Sequence, residues 1–155
     1  MDMDMTSAKD LQSELRESIA RSPRLICVDG VCGAGQKELA AALAVQFKCE
    51  LIDLGESTDF AKLKSAIEAK RAESSVIVTG ILLRKAMAEA RIQPDISIYV
   101  VPSKKNTRRT FWEGILSKSL QEYLTELKSD LDRKTVEYHW KFHPIINADY
   151  LVEGA

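Results

Sequence analysis

The chain has 155 residues, 45% of them apolar and 29% charged, enough to bury roughly 70% of the unfolded surface around one core, so a single domain over 1–155 is expected. A formal net charge of −1 supplies no global field to attract a nucleic acid or an anionic membrane. No apolar run approaches the ~20 residues of a membrane span and the acidic start "MDMDMTS" is unlike a signal peptide, so a cytoplasmic location is expected, with disorder confined to the ends, chiefly residues 1–6.

In chain order, "SAKDLQSELRESIAR" (Ser7 to Arg21) sets Leu11, Leu15 and Ile19 four apart, one apolar stripe of a helix that Pro23 ends. "RLICVD" reads as a strand, and "KELAAALAVQF" after a glycine-rich turn as a helix. "ELIDL" is a second strand. "STDFAKLKSAIEAKRAE" is a helix, with Phe60, Leu63 and Ile67 in register and a cap at Ser57 or Thr58. Val76–Thr79 is a third strand, "RKAMAEARI" a short helix stopped near Pro94, and "DISIYVV" a fourth strand closed by Pro102. Two longer helices are expected, Lys104 to Ser117 and Ser119 to Phe142, before Pro144 and a last strand, "DYLVE". Strands alternating with helices predict an α/β fold with about five parallel strands covered on both faces. In such sheets ligands bind beyond the carboxyl ends of the strands, here the glycine turn, Asp53–Glu56, Gly80 and Pro102–Arg109.

The turn is "VDGVCGAGQKEL". A phosphate-binding P-loop reads G-x-x-x-x-G-K-[ST] between a strand and a helix. Its glycines let backbone N–H groups converge on phosphate oxygens, the lysine reaches the β and γ phosphates, and the hydroxyl holds Mg²⁺. Gly30 and Gly35 fall at the two glycine positions, with Cys32, Gly33 and Ala34 between them. Gln36 occupies the lysine position and Lys37 the hydroxyl position. One residue along a helix turns a side chain by about 100°, so Lys37 does not simply slide into the place of Gln36. A plain strand-to-helix turn and a phosphate cradle on the amides of Cys32 to Lys37 both accommodate this pattern.

With strand order and loop in hand, the chain resembles the uridine kinase and phosphoribulokinase branch of P-loop kinases. The amphipathic helix before "RLICVDGVCGAGQKELAAALA" resembles the lead-in of that family. "SSVIVTGILLRKAM" resembles its third strand and following turn, with Thr79 where the family reads glutamate. "PDISIYVVPSKKNTRRTF" looks like the fourth strand and basic lid, and "HPIINADYLVEG" like the entry to the last strand. The resemblance implies a three-layer P-loop NTPase fold with ATP and Mg²⁺ as ancestral ligands, Asp53 as the catalytic acid (Asp59 second), and Arg108 and Arg109 as lid arginines. The long insertion that holds the acceptor in the family is missing, because only one helix separates the second and third strands. A degenerate Walker A motif without that insertion points to nucleotide or phosphate binding with weak or lost phosphoryl transfer. The alternatives are an active nucleoside or sugar kinase using Lys37 and Asp53, and a non-catalytic interaction protein.

Lys105, Arg108 and Arg109 fall at i, i+3 and i+4 and would share one helical face, as a lid or as a solvated basic surface. His139 and His143, four apart, lack a third ligand, so no metal site is assigned. Cys27, Cys32 and Cys49 have no paired spacing and are read as free thiols, Cys32 in the loop and the other two in the core. Phe111, Trp112, Tyr138, Trp140 and Phe142 are read as packing residues. Leu124, Leu127 and Leu131 form a stripe that covers the sheet or serves a homodimer contact.

Overall fold

The computed structural model describes residues 4–55 and 60–154. The caps expected at Ser57 or Thr58, the acid Asp59 and the side chain of Phe60 lie outside the described residues. Among the described residues there are five strands, β1 (Leu25–Gly30), β2 (Glu50–Asp53), β3 (Val76–Thr79), β4 (Ile96–Val101) and β5 (Tyr150–Glu153). Seven helices accompany them: α1 (Ala8–Arg21), α2 (Gln36–Phe47), α3 (Phe60–Arg71), α4 (Leu83–Glu89), α5 (Arg109–Ser117), α6 (Leu120–Glu126) and α7 (Asp130–Phe142).

The sheet is parallel throughout, in the order β2-β3-β1-β4-β5. Parallel neighbours need crossovers, and the helices between strands supply them. β1 is central: Ile26 lies opposite Ile77 of β3 on one side and Ile96 of β4 on the other. Every residue of β1, β3 and β4 is buried, as expected of strands covered on both faces.

Alternate side chains of β1 enter different cores. Ile26 and Val28 pack with Leu11 and Leu15 of α1 and Ala40, Leu43 and Ala44 of α2. Leu25 and Cys27 pack with Leu63 and Ile67 of α3 and Leu83, Ala86 and Met87 of α4. Helix α2 therefore leaves β1 toward one face, while α4 leaves the adjacent β3 toward the other. The connections part between the carboxyl ends of β1 and β3, which is where a crevice opens in such sheets.

The first helix begins at its expected place because Ser7 caps it, its hydroxyl accepting from Asp10 N at 3.1 Å. Just before that cap, Thr6 N–H bonds Leu151 O at 2.7 Å, along the outer edge of β5.

The last third departs from expectation. Residues 104–108 form turns, with Asn106 N bonded to Ser103 O and Arg109 N to Asn106 O, so the helix starts at Arg109 and not Lys104. The segment expected to run unbroken from Ser119 to Phe142 divides at Leu127, whose backbone is extended. Ser129 then caps a new helix by accepting from Asp132 N at 3.3 Å. A serine followed by acidic residues in the first turn is a local start signal that outweighs the continuous leucine stripe. The stripe itself is split, Leu124 and Leu127 against the larger core and Leu131 against Tyr138, Ile81 and Leu82. No helix among the described residues is long and apolar enough to cross a membrane.

Candidate functional site

The loop from Gly30 to Gly35 closes β1 onto α2. Ala34 N bonds Val31 O at 3.0 Å, and Gly33 and Gly35 take positive φ (85° and 105°), which side chains rarely adopt. Gly35 is the N-cap of α2, and no side chain caps that helix. The opening N–H groups of a helix have no intrahelical partner, so this end presents amides and a positive dipole terminus to the crevice.

Gln36, at the lysine position, turns inward. It is 6% exposed, and its Nε2 donates to Val31 O at 3.0 Å and Gly30 O at 3.3 Å. Both amide hydrogens are thereby used on the loop's own carbonyls, leaving none for a phosphate. Gly30 eases the close fit, since a Cβ there would press on Gln36 Oε1 at 3.2 Å and on Val100 O at 3.1 Å.

Lys37, one step round the helix, is on the outside. Its side chain is 75% exposed and its ammonium lies 3.3 Å from Asp53 Oδ2 at the end of β2, while the other Asp53 oxygen accepts from Gly55 N at 3.0 Å. Lys37 and Asp53, far apart in the chain, thus face one another across a crevice of about 250 Å³ lined also by Cys32, Gly33, Gly35, Gln36, Gly80 and Ile81. Cys32 is exposed.

The two arginines expected in a lid, Arg108 and Arg109, are separated by the structure. Asn106 donates to Gly33 O at 2.9 Å, and Arg108 lies against the same glycine, its Cγ 3.2 Å from where a Cβ would stand. The Arg108 guanidinium stacks 4.3 Å over Phe111 and pairs with Asp132 at 2.6 Å, while its Nε is buried without a partner among the described residues. Arg109 turns away, donating to Pro102 O at 2.7 Å and Glu113 at 2.9 Å over the Trp112 ring. The turn before α5 therefore brings one arginine to the loop, while the other holds α5. Lys105 is exposed.

Two buried polar pairs behind the loop escaped the sequence reading. Asp29 accepts from Gly30 N at 2.9 Å and from the Tyr138 hydroxyl at 2.5 Å; that hydroxyl in turn accepts from Arg84 N at 2.8 Å. Burial pushes the Asp29 carboxyl up to about 6, against the downward pull of Tyr138, Gly30 N and Arg84. Beside it, His139 Nδ1–H donates to Thr135 O at 2.7 Å and Nε2 accepts from the Tyr99 hydroxyl at 2.6 Å. Burial lowers His139 to about 4, so the ring is neutral. The signal for Asp29 was an acid inside an otherwise apolar strand. His139 is committed to these bonds, and His143 closes α7 in a left-handed turn (φ 48°).

A Mg²⁺ ion does not fit this donor set. The position that should offer a hydroxyl carries the Lys37 ammonium, the Thr79 hydroxyl donates back into the sheet to Val28 O at 3.1 Å, and Asp29 is engaged as described. Of the two carboxylates that line the crevice among the described residues, Asp53 is already paired with Lys37, and Glu38 stands in the first turn of α2. Among the described residues no group of three or more His, Cys, Asp or Glu is arranged to hold a metal.

Strand order, the glycine loop and the crevice between β1 and β3 define a three-layer α/β fold of the P-loop kinase type. The structure is similar to a shikimate kinase from Acinetobacter baumannii solved with shikimate, at a TM-score of 0.50 and 14% identity over 86% of this chain and 85% of that one. A sugar kinase from Janibacter sp. HTCC2649, solved unliganded, matches at a TM-score of 0.42 and 13% identity, over 85% of this chain and 86% of that one. No protein-family model matches the chain, and no curated protein matches it. At 14% identity the likeness to the shikimate kinase is one of fold.

Proposed function

We propose that this chain is a uridine kinase-like P-loop protein that binds a nucleotide or phosphate at the Gly30–Lys37 loop, with phosphoryl transfer weak or lost. The observation that carries the reading is the uncapped α2 N-terminus opening into the crevice while Gln36, in the lysine's place, spends its amide on Gly30 O and Val31 O. A bound phosphate rests on the amides of Cys32 to Lys37, flanked by Lys37 and by Arg108 against Gly33.

Losing the lysine's charge-assisted hydrogen bond costs ~1.5–3 kcal/mol, a roughly ten- to hundredfold loss of affinity that binding survives. Transfer suffers more, since that charge is needed most in the transition state. The acceptor side is also reduced, with α3 the one helix between β2 and β3 among the described residues. Calorimetric titration of ATP, ADP, GTP and phosphate, against wild type and Lys37→Ala, tests the reading. Binding that weakens in the variant supports it, and absence of heat or thermal stabilisation at millimolar ligand refutes it in favour of a non-catalytic interaction protein.

One observation favours a second reading, an active small-molecule kinase: the crevice brings Lys37 and Asp53 within 3.3 Å. ATP turnover that vanishes in Asp53→Asn would establish it.

A further inference from the structure

The misfit of Mg²⁺ has a positive side. We propose that the Lys37 ammonium stands in for the divalent cation, so that the loop takes a phosphate group, free or esterified, without any metal; this rests on the phosphate-binding reading above.

A metal in a P-loop bridges phosphate oxygens to protein oxygens. Lys37 occupies the residue position that would hold the metal, and its Nζ is 3.3 Å from Asp53 Oδ2 at the rim of the crevice that the loop lines. An ammonium has three hydrogens. The ammonium pairs with Asp53 as an ion pair, and its hydrogens can also meet a phosphate oxygen seated on the α2 N-terminus.

Asp53 is held from its other side by Gly55 N. The carboxylate orients the ammonium, and Lys37 in turn neutralises the Asp53 charge that would otherwise repel the anion. A four-carbon stem makes this cation part of the chain, so a chelator cannot remove it.

The charge balance also selects the ligand. In place of a lysine plus a divalent ion, the loop offers one ammonium and a neutral amide whose hydrogens are already used. That matches one phosphate group better than a triphosphate, whose extra charge meets the Asp53 and Glu38 carboxylates at the crevice and an Arg108 already paired with Asp132.

The experiment is titration of wild type, Lys37→Ser and Lys37→Arg with inorganic phosphate, ADP and ATP, each in excess Mg²⁺ and in EDTA. Wild type and Lys37→Arg are expected to bind with the same affinity in both conditions, phosphate or ADP at least as tightly as ATP. Lys37→Ser, which restores a hydroxyl, is expected to lose roughly tenfold or more in EDTA and to recover part of it in Mg²⁺. The exposure of Lys37 makes both variants compatible with folding. Wild-type binding that needs Mg²⁺, or Lys37→Ser binding undiminished in EDTA, overturns the metal-free site while leaving phosphate binding intact. Absence of binding in every arm overturns both.

Discussion

Asp29 and His139 are both buried, one bonded to Tyr138 and the other to Tyr99, and burial drives their ionisation in opposite directions with opposite consequences for stability. Asp29 moves from an ordinary 3.8 to about 6. Between those values the folded chain holds a proton that the unfolded chain has lost, so this group makes stability fall as pH rises. His139 moves from 6.5 to about 4. There the unfolded chain takes up the proton first, so this group makes stability fall as pH drops. At about 1.4 kcal/mol per pH unit each effect amounts to about 3 kcal/mol, and across pH 4–6.5 the two nearly cancel.

Removing one partner exposes the other. In His139→Gln the Asp29 contribution stands alone, and stability relative to wild type is expected to rise by about 3 kcal/mol on going from pH 6.5 to 4. In Asp29→Asn the His139 contribution stands alone, and the relative stability is expected to fall by a similar amount over the same interval. Urea denaturation of the three proteins at a series of pH values measures this, and differences from wild type remove the background of ordinary carboxylates. Two variants whose differences do not change with pH would refute the reasoning, because burial would then not be what holds Asp29 protonated and His139 neutral.

Further expectations concern the loop and its surroundings. Gln36→Ala leaves two loop carbonyls without their donor and is expected to lower stability by about 1–3 kcal/mol in urea denaturation. Gly154→Ala drives a Cβ into the carbonyl of Ala34, backbone against backbone, and is expected to lower the denaturation midpoint by the equivalent of about 1–3 kcal/mol and to weaken phosphate binding. Arg108→Ala is expected to reduce phosphate affinity roughly tenfold, whereas Arg109→Ala, removing a group turned to Pro102 and Glu113, lowers thermal stability and leaves affinity unchanged. Lys48→Gly relieves a left-handed cap (φ 54°) and is expected to stabilise by about 1 kcal/mol, read as a raised melting temperature.

Much of the fold is legible residue by residue. The strands around Cys27, Val78 and Ile98 stand out because they are short apolar runs bounded by turn formers, and the stripe of Leu11, Leu15 and Ile19 follows helical period. The break at Leu127 was hidden by a leucine spacing that runs through it, since periodicity says nothing about a backbone that Ser129 diverts. The pairing of Asp29 with Tyr138, 109 residues apart, has no local signature beyond an acid in an apolar strand. Arg108 and Arg109 look alike in sequence, yet Asn106, Gly33 and Asp132 draw one to the loop while Pro102 and Glu113 hold the other.

What the sequence by itself determined was the strand–loop–helix frame and the order of Gln36 before Lys37, because about 100° of rotation per residue lets only one of two neighbours face into the loop. What the tertiary structure decided was the use each side chain is put to. Gln36 is free to turn inward because Gly30 leaves room beside Val31 O, and Lys37 finds its counter-charge on Asp53 only because the crossovers set the end of β2 beside the start of α2. Periodicity and residue order are local properties of a chain, whereas the choice of partner for a charge depends on which segments the sheet brings together.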